Sequence, residues 1–95
     1  MASIREQAQG WSVGRWLGFY FAHGGTRDTT EWGAATVTYL AQEWAAIKGE
    51  SYDADRHRKA VLEAAWEMDD RDRGLYVEPI DGVEFLVRAR PGWDR

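Results

Sequence analysis

Cysteine is absent from the 95 residues, which excludes a disulfide framework and any thiolate metal site and fits a reducing compartment. Histidine is scarce: His23 and His57 stand far apart, so neither a metal site nor a cofactor is expected. No uncharged apolar run approaches the roughly 20 residues that cross a bilayer. The opening Met1-Ala2-Ser3-Ile4-Arg5-Glu6 lacks the cationic-then-apolar order of a secretory signal, and the chain reads as cytoplasmic, with no membrane partner. A basic excess is missing as well. Residues 1–50 carry 4 basic and 5 acidic groups and residues 51–95 carry 8 and 11, so −1 and −3 sum to −4. Such a chain lacks the background attraction to phosphate that nucleic-acid binding relies on.

What remains is an ordinary globular composition, 44% apolar and 29% charged, in a length that suits one domain spanning residues 1–95. Neither a repeat nor a Pro/Ser linker divides it. Tryptophan is the exception. Six stand at positions 11, 16, 32, 44, 66 and 93, more than so small a core easily hides, so some should reach the surface.

Periodicity and punctuation predict an α+β fold of about three helices followed by a C-terminal two-stranded β-hairpin. Ser3 and Glu6 form a capping-box pattern. Val13 to Ala22 fits either a helical face or alternation, and helix is the preferred reading. Asp28 and Glu31 form a second capping box, from which a helix runs to Lys48 and stops at Gly49. On it Gly33, Val37, Leu40, Ala41, Trp44 and Ile47 share one face, with Trp32, Ala35, Tyr39 and Glu43 opposite. A further helix starts near Ser51 or Asp53 and ends before Gly74, with Ala54, Val61, Leu62, Ala65 and Met68 inward and Trp66 at the edge of that stripe. Asp81-Gly82 suits a two-residue type I′ turn joining Leu75–Ile80 to Val83–Arg90. That turn would pair Ile80 with Val83, Glu78 with Phe85 and Tyr76 with Val87, placing Tyr76, Ile80, Val83, Phe85 and Val87 over the helices. Pro79 then marks an edge strand.

Gly10-Trp11-Ser12-Val13-Gly14 satisfies the G-x-S-x-G pattern, with His23-Gly24-Gly25 after it. A nucleophile elbow needs a buried strand before the serine and a large parallel sheet, neither of which this chain offers. Ser12 reads instead as a helix N-cap, and no catalytic residue is assigned. Gly14 and Gly18 read as a close-packing pair. In Asp69-Asp70-Arg71-Asp72-Arg73-Gly74, Arg occupies two calcium-ligand positions, so calcium is not expected.

Trp32 and Tyr39 lie off the main stripe of their helix, and Trp66 borders that of the next. Aromatic residues dominate interface energetics, and Asp69, Asp70 and Asp72 add an acidic patch suited to a basic partner. The expected function is a non-catalytic protein–protein interaction or self-association module, in the manner of small accessory or inhibitor proteins of bacteria or their phages. Its contacts would be Trp32, Tyr39, Trp66, Asp69, Asp70 and Asp72. The alternative comes from layout: helices followed by a two-stranded wing resemble the winged helix-turn-helix arrangement over about residues 28–90. Arg56, Arg58 and Lys59 near the start of the last helix, with Arg88 and Arg90 on the hairpin, would then be the DNA contacts.

Overall fold

The computed structural model describes residues 4–24, 33–90 and 93. Ser3, Asp28, Glu31 and Trp32, named in the capping-box and aromatic readings, lie outside them. Helix α1 spans Ile4–Ala8. Ser12 then opens α2, Val13–Phe19, its Oγ accepting the Arg15 amide at 3.2 Å. That bond satisfies one of the free donors of a helix start. Residues Tyr20–Gly24 continue as a π-helical turn, so the stretch from Val13 is helical, with Trp16, Leu17 and Phe21 buried.

The expected helix from Asp28 to Lys48 is corrected at its front. Gly33–Thr36 is a strand, β1, and α3 covers Val37–Lys48. Gly-Ala-Ala-Thr has little strand preference of its own, and pairing supplies the reason: Gly33 lies opposite Ala89 and Ala35 opposite Val87, so tertiary context overrides local propensity. Thr36 converts strand to helix by accepting the Tyr39 amide on its hydroxyl at 3.1 Å. Gly49 ends α3 in the left-handed region, φ 69. The Glu50 amide reaches Ala45 O at 2.9 Å and the Gly49 amide reaches Ala46 O at 3.1 Å, the paired bonds of a Schellman cap.

Asp53 caps α4, Ala54–Met68, by accepting the Arg56 amide at 3.1 Å. Val61 and Ala65 are buried as expected, and Leu62 and Met68 are half-buried. Ala54 is exposed, and His57 is buried in its place. Helices α2, α3 and α4 enclose a core in which the Trp16 and Trp44 rings lie 5.4 Å apart, with Leu40 and Val61 fully covered. Each such side chain contributes about 1.5–3 kcal/mol. Gly18 leaves room for Met68 and Trp93, either of which a methyl there would meet at 3.8 Å; Gly14 has nothing so close. No helix among the described residues is long and apolar enough to cross a membrane.

Strands β2, Leu75–Pro79, and β3, Phe85–Ala89, complete an antiparallel sheet of order β1-β3-β2. The fold is thus α+β as predicted, with four α-helices and three strands among the described residues rather than about three and two. The hairpin register differs from the expected one by a single residue: Val77 pairs with Val87, Glu78 with Leu86 and Pro79 with Phe85. The loop holds three residues, closed by Ile80 N–H to Glu84 O at 3.1 Å and Glu84 N–H to Asp81 O at 3.3 Å, and Gly82 has no positive φ. A one-residue slip turns the side chains of one strand to the other face, here those of β2. Leu75 and Val77 therefore join Val87 and Ala89 inside, while Ile80 and Val83, expected to cover the helices, face solvent.

Strand β2 is an edge, as Pro79 implied, and its outward donors are closed one by one. Leu75 N–H donates to Asp70 O at 3.2 Å, Val77 N–H donates to Asp69 Oδ2 at 2.8 Å, and Pro79 has no N–H. An edge so treated offers no ladder to another chain.

Candidate protein-docking surface

Ala54, Arg58, Leu62 and Trp66 recur every four residues, so they form one ridge along α4. The hairpin lies beside that ridge, leaving a groove of about 350 Å³ lined by Ala54, Asp55, Arg58, Lys59, Leu62, Val83 and Phe85. Trp66 meets Phe85 edge to face, ring centres 6.1 Å apart. Two large apolar side chains stand open to solvent here, Val83 at 74% and Trp66 at 48% exposure; Ile80, at 49%, follows β2 outside the groove lining.

Glu84 fixes the hairpin tip against both helices. Its carboxylate accepts the Thr38 hydroxyl at 2.5 Å and lies 3.7 Å from the Arg58 guanidinium, which also donates to Val83 O. Partial burial pushes the Glu84 carboxyl up, but the bonds from Thr38 and Phe85 together with Arg58 outweigh it and hold it below the ordinary value.

The arginines expected to touch DNA are engaged within the chain. Arg56 sits 3.6 Å from Glu50 and Arg58 is held as above. Arg88 donates to Glu78 at 2.7 Å, a bond that raises its pKa further, and Arg90 donates to the carbonyls of Arg73 and Asp72 at 2.9 and 3.2 Å. Lys59 remains exposed on the groove rim.

The acidic run is likewise put to local use. Asp69 closes the β2 edge, and Asp70 Oδ1 accepts the amides of Asp72 and Arg73 at 3.1 and 3.2 Å, an Asx-type turn from α4 into β2. The Asp72 carbonyl anchors Arg90. Of the aromatic candidates, Trp66 and Tyr39 are both about half exposed, but Tyr39 belongs to a separate patch near Tyr20, whose hydroxyl pKa is raised by burial and by Tyr39. Sequence reasoning missed Ile80 and Val83 as surface residues, because a two-residue turn sends them inward; Leu62 and Phe85, expected inward, are partly buried against the core.

His57 sits at 2% exposure. The Asp53 amide donates to its Nδ1 at 2.8 Å, and its Nε2 lies 3.0 Å from Glu50 Oε1. That bond holds Glu50 below the usual carboxylate range, with Arg56 adding to it. The ring thus ties the α3–α4 connection to the first turn of α4. Ser12 caps α2 while lining a shallow second cavity with Glu63 and Glu67. Among the described residues no three His, Cys, Asp or Glu side chains are grouped to hold a metal. Comparison of the chain with protein-family models, with curated proteins and with solved structures yields no match.

Proposed function

We propose that the chain is a protein-interaction module that docks its partner on the face formed by α4 and the β2–β3 hairpin. The observation that carries this reading is the exposure of Val83 on a groove also lined by Leu62 and Phe85, with exposed Trp66 against the Phe85 ring. Apolar surface gathered at a concave site, with aromatic anchors, is what partner recognition uses. Catalytic chemistry has no comparable support, since Ser12 is occupied as a helix cap.

A second reading draws on topology. Helix, strand, helix, helix and hairpin, with the first strand beside the last, is the order of a winged helix-turn-helix unit, in which α4 would be the recognition helix and residues 80–84 the wing. Against it stand the internal pairing of Arg56, Arg58 and Arg88 and the net charge of −4.

A displayed peptide library, selected on the intact chain and counter-selected on Val83→Asp, separates the two. Enrichment of peptides that bind the intact chain and not the variant is the expected result. A salt-resistant, sequence-specific duplex complex lost in Arg56→Ala or Lys59→Ala would replace the protein-docking reading with the winged-helix one.

A further inference from the structure

We infer that Asp81-Gly82 is a site of spontaneous covalent modification, at which the folded chain rearranges its backbone from aspartate to isoaspartate. The inference is independent of what the α4–hairpin groove binds. Of the aspartates in the chain, Asp81 alone is followed by glycine. After every other one, a side chain crowds the amide nitrogen that the carboxyl group would have to meet.

The hairpin loop removes the remaining obstacles. Asp81, Gly82 and Val83 are all exposed, and nothing lies within 4 Å of where a Gly82 Cβ would stand. Glycine lets the backbone swing through the angles that bring its nitrogen onto Cγ. The Val83 amide donates to Asp81 Oδ1 at 3.4 Å, an Asx-type contact that folds the carboxyl group back over the Gly82 peptide. Asp70 makes the same kind of turn with the amides of Asp72 and Arg73, but Arg71 follows it, so Asp70 serves as the internal comparison.

The Gly82 nitrogen attacks Cγ of the protonated Asp81 carboxyl group. An N–Cγ bond forms, and one carboxyl oxygen leaves as water with its own proton and the proton from nitrogen, giving a cyclic succinimide. Water then adds to one of the two imide carbonyls. Opening at the Cγ–N bond restores aspartate. Opening between the nitrogen and the former main-chain carbonyl carbon leaves isoaspartate, the chain now running through Cβ and Cγ. One water leaves and one enters, and no oxidant or cofactor takes part. The product turns the Asp81 carbonyl, which accepts the Glu84 amide at 3.3 Å, into part of a free carboxylate outside the chain. The turn that sets Glu84 against Thr38 thereby loses a closing bond.

The native chain is held folded in weakly acidic buffer made with heavy-oxygen water and then digested with trypsin, which releases residues 74–88 as one peptide. Chromatography and electron-transfer fragmentation distinguish its isoaspartyl form, and the same peptide made synthetically is the unfolded reference. Isoaspartate carrying one heavy oxygen should accumulate at Asp81 in the folded chain at a rate comparable to the peptide's, and Asp70 should stay unconverted over the same period. Gly82→Ala, its fold verified by thermal melts, should slow conversion several-fold. The converted chain, separated from the native one, should melt at a lower temperature. Conversion confined to the peptide, or many-fold slower in the folded chain, overturns the inference by showing that the loop protects the bond. Equal conversion at Asp70 and Asp81 overturns it too. A converted chain that melts as the native one does would contradict the loss of the Glu84 turn.

Discussion

Glu84 stands across the first turn of α3 and accepts both polar groups of Thr38, the hydroxyl at 2.5 Å and the amide at 3.4 Å. Two residues 46 positions apart thereby lock the hairpin tip to the helical layer, and Val83, one position earlier, is held out of the core. Glu84→Ala should cost about 1.5–3 kcal/mol, the range for hydrogen bonds to a charged group, read as a shift in the urea midpoint. An unchanged midpoint would show that the tip is held by something else.

The same carboxylate sets a pH dependence. Its folded pKa lies below the ordinary 4.5, so between the two values the unfolded chain binds more protons and stability rises with pH. Glu84's contribution is present in full above pH 4.5 and is lost as pH falls through the folded value. Glu50 is lowered too and acts in the same sense. Glu84→Gln should therefore be less stable near neutrality and show a flatter acid limb than the native chain in urea melts below about pH 4.5. Parallel curves would contradict the assignment.

Trp44 and Leu40 are core, whereas Tyr39 and Trp66 are half exposed. Truncation to Ala should cost about 2–5 kcal/mol at Trp44 or Leu40, through lost burial and the cavity left. Tyr39→Ala and Trp66→Ala should cost clearly less in the same thermal melts. Equal losses at all four would mean that the exposed rings are structural rather than available for contact.

Gly74 and Gly82 discriminate between hairpin registers. Gly74 has φ 105 and its absent side chain leaves space taken by Arg90, while Gly82 has ordinary φ and open surroundings. Gly74→Ala should cost about 1–3 kcal/mol through backbone strain and the clash with Arg90. Gly82→Ala should stay within about 0.5 kcal/mol, as at an unconstrained surface position. A large loss at Gly82 would restore the two-residue turn and return Val83 to the core.

Asp69 protects the β2 edge by accepting the Val77 amide. Asp69→Ala uncovers that donor, and concentration-dependent association should appear by light scattering, as unprotected edges pair. A variant as monomeric as the native chain would show that the edge needs no such guard.

Much of the fold was legible from local signals: Ser12, Asp53 and Gly49 act at helix ends as their side chains, or the lack of one, dictate, and Pro79 lies on an edge strand. Strand β1 was not legible, because Gly33-Ala34-Ala35-Thr36 becomes a strand only through β3. The hairpin register also escaped, since Asp81-Gly82 signals a turn without fixing its length, and one residue decides which side of β2 is buried. Trp66 was recognisable from its place at the edge of the α4 stripe. Val83 and Ile80 were not, because their exposure follows from the register and from the Glu84 anchor to Thr38, a contact between residues distant in sequence.

The most direct measurement is an amide and indole chemical-shift map of the ¹⁵N-labelled chain titrated with a peptide enriched in the Val83-dependent selection. The largest shifts should fall on Leu62, the Trp66 indole, Val83 and Phe85, with Tyr39 and the α2 amides unmoved. Shifts centred on Tyr39 and Tyr20, or spread without regard to the groove, would contradict the claim that the α4–hairpin face is where this protein meets its partner.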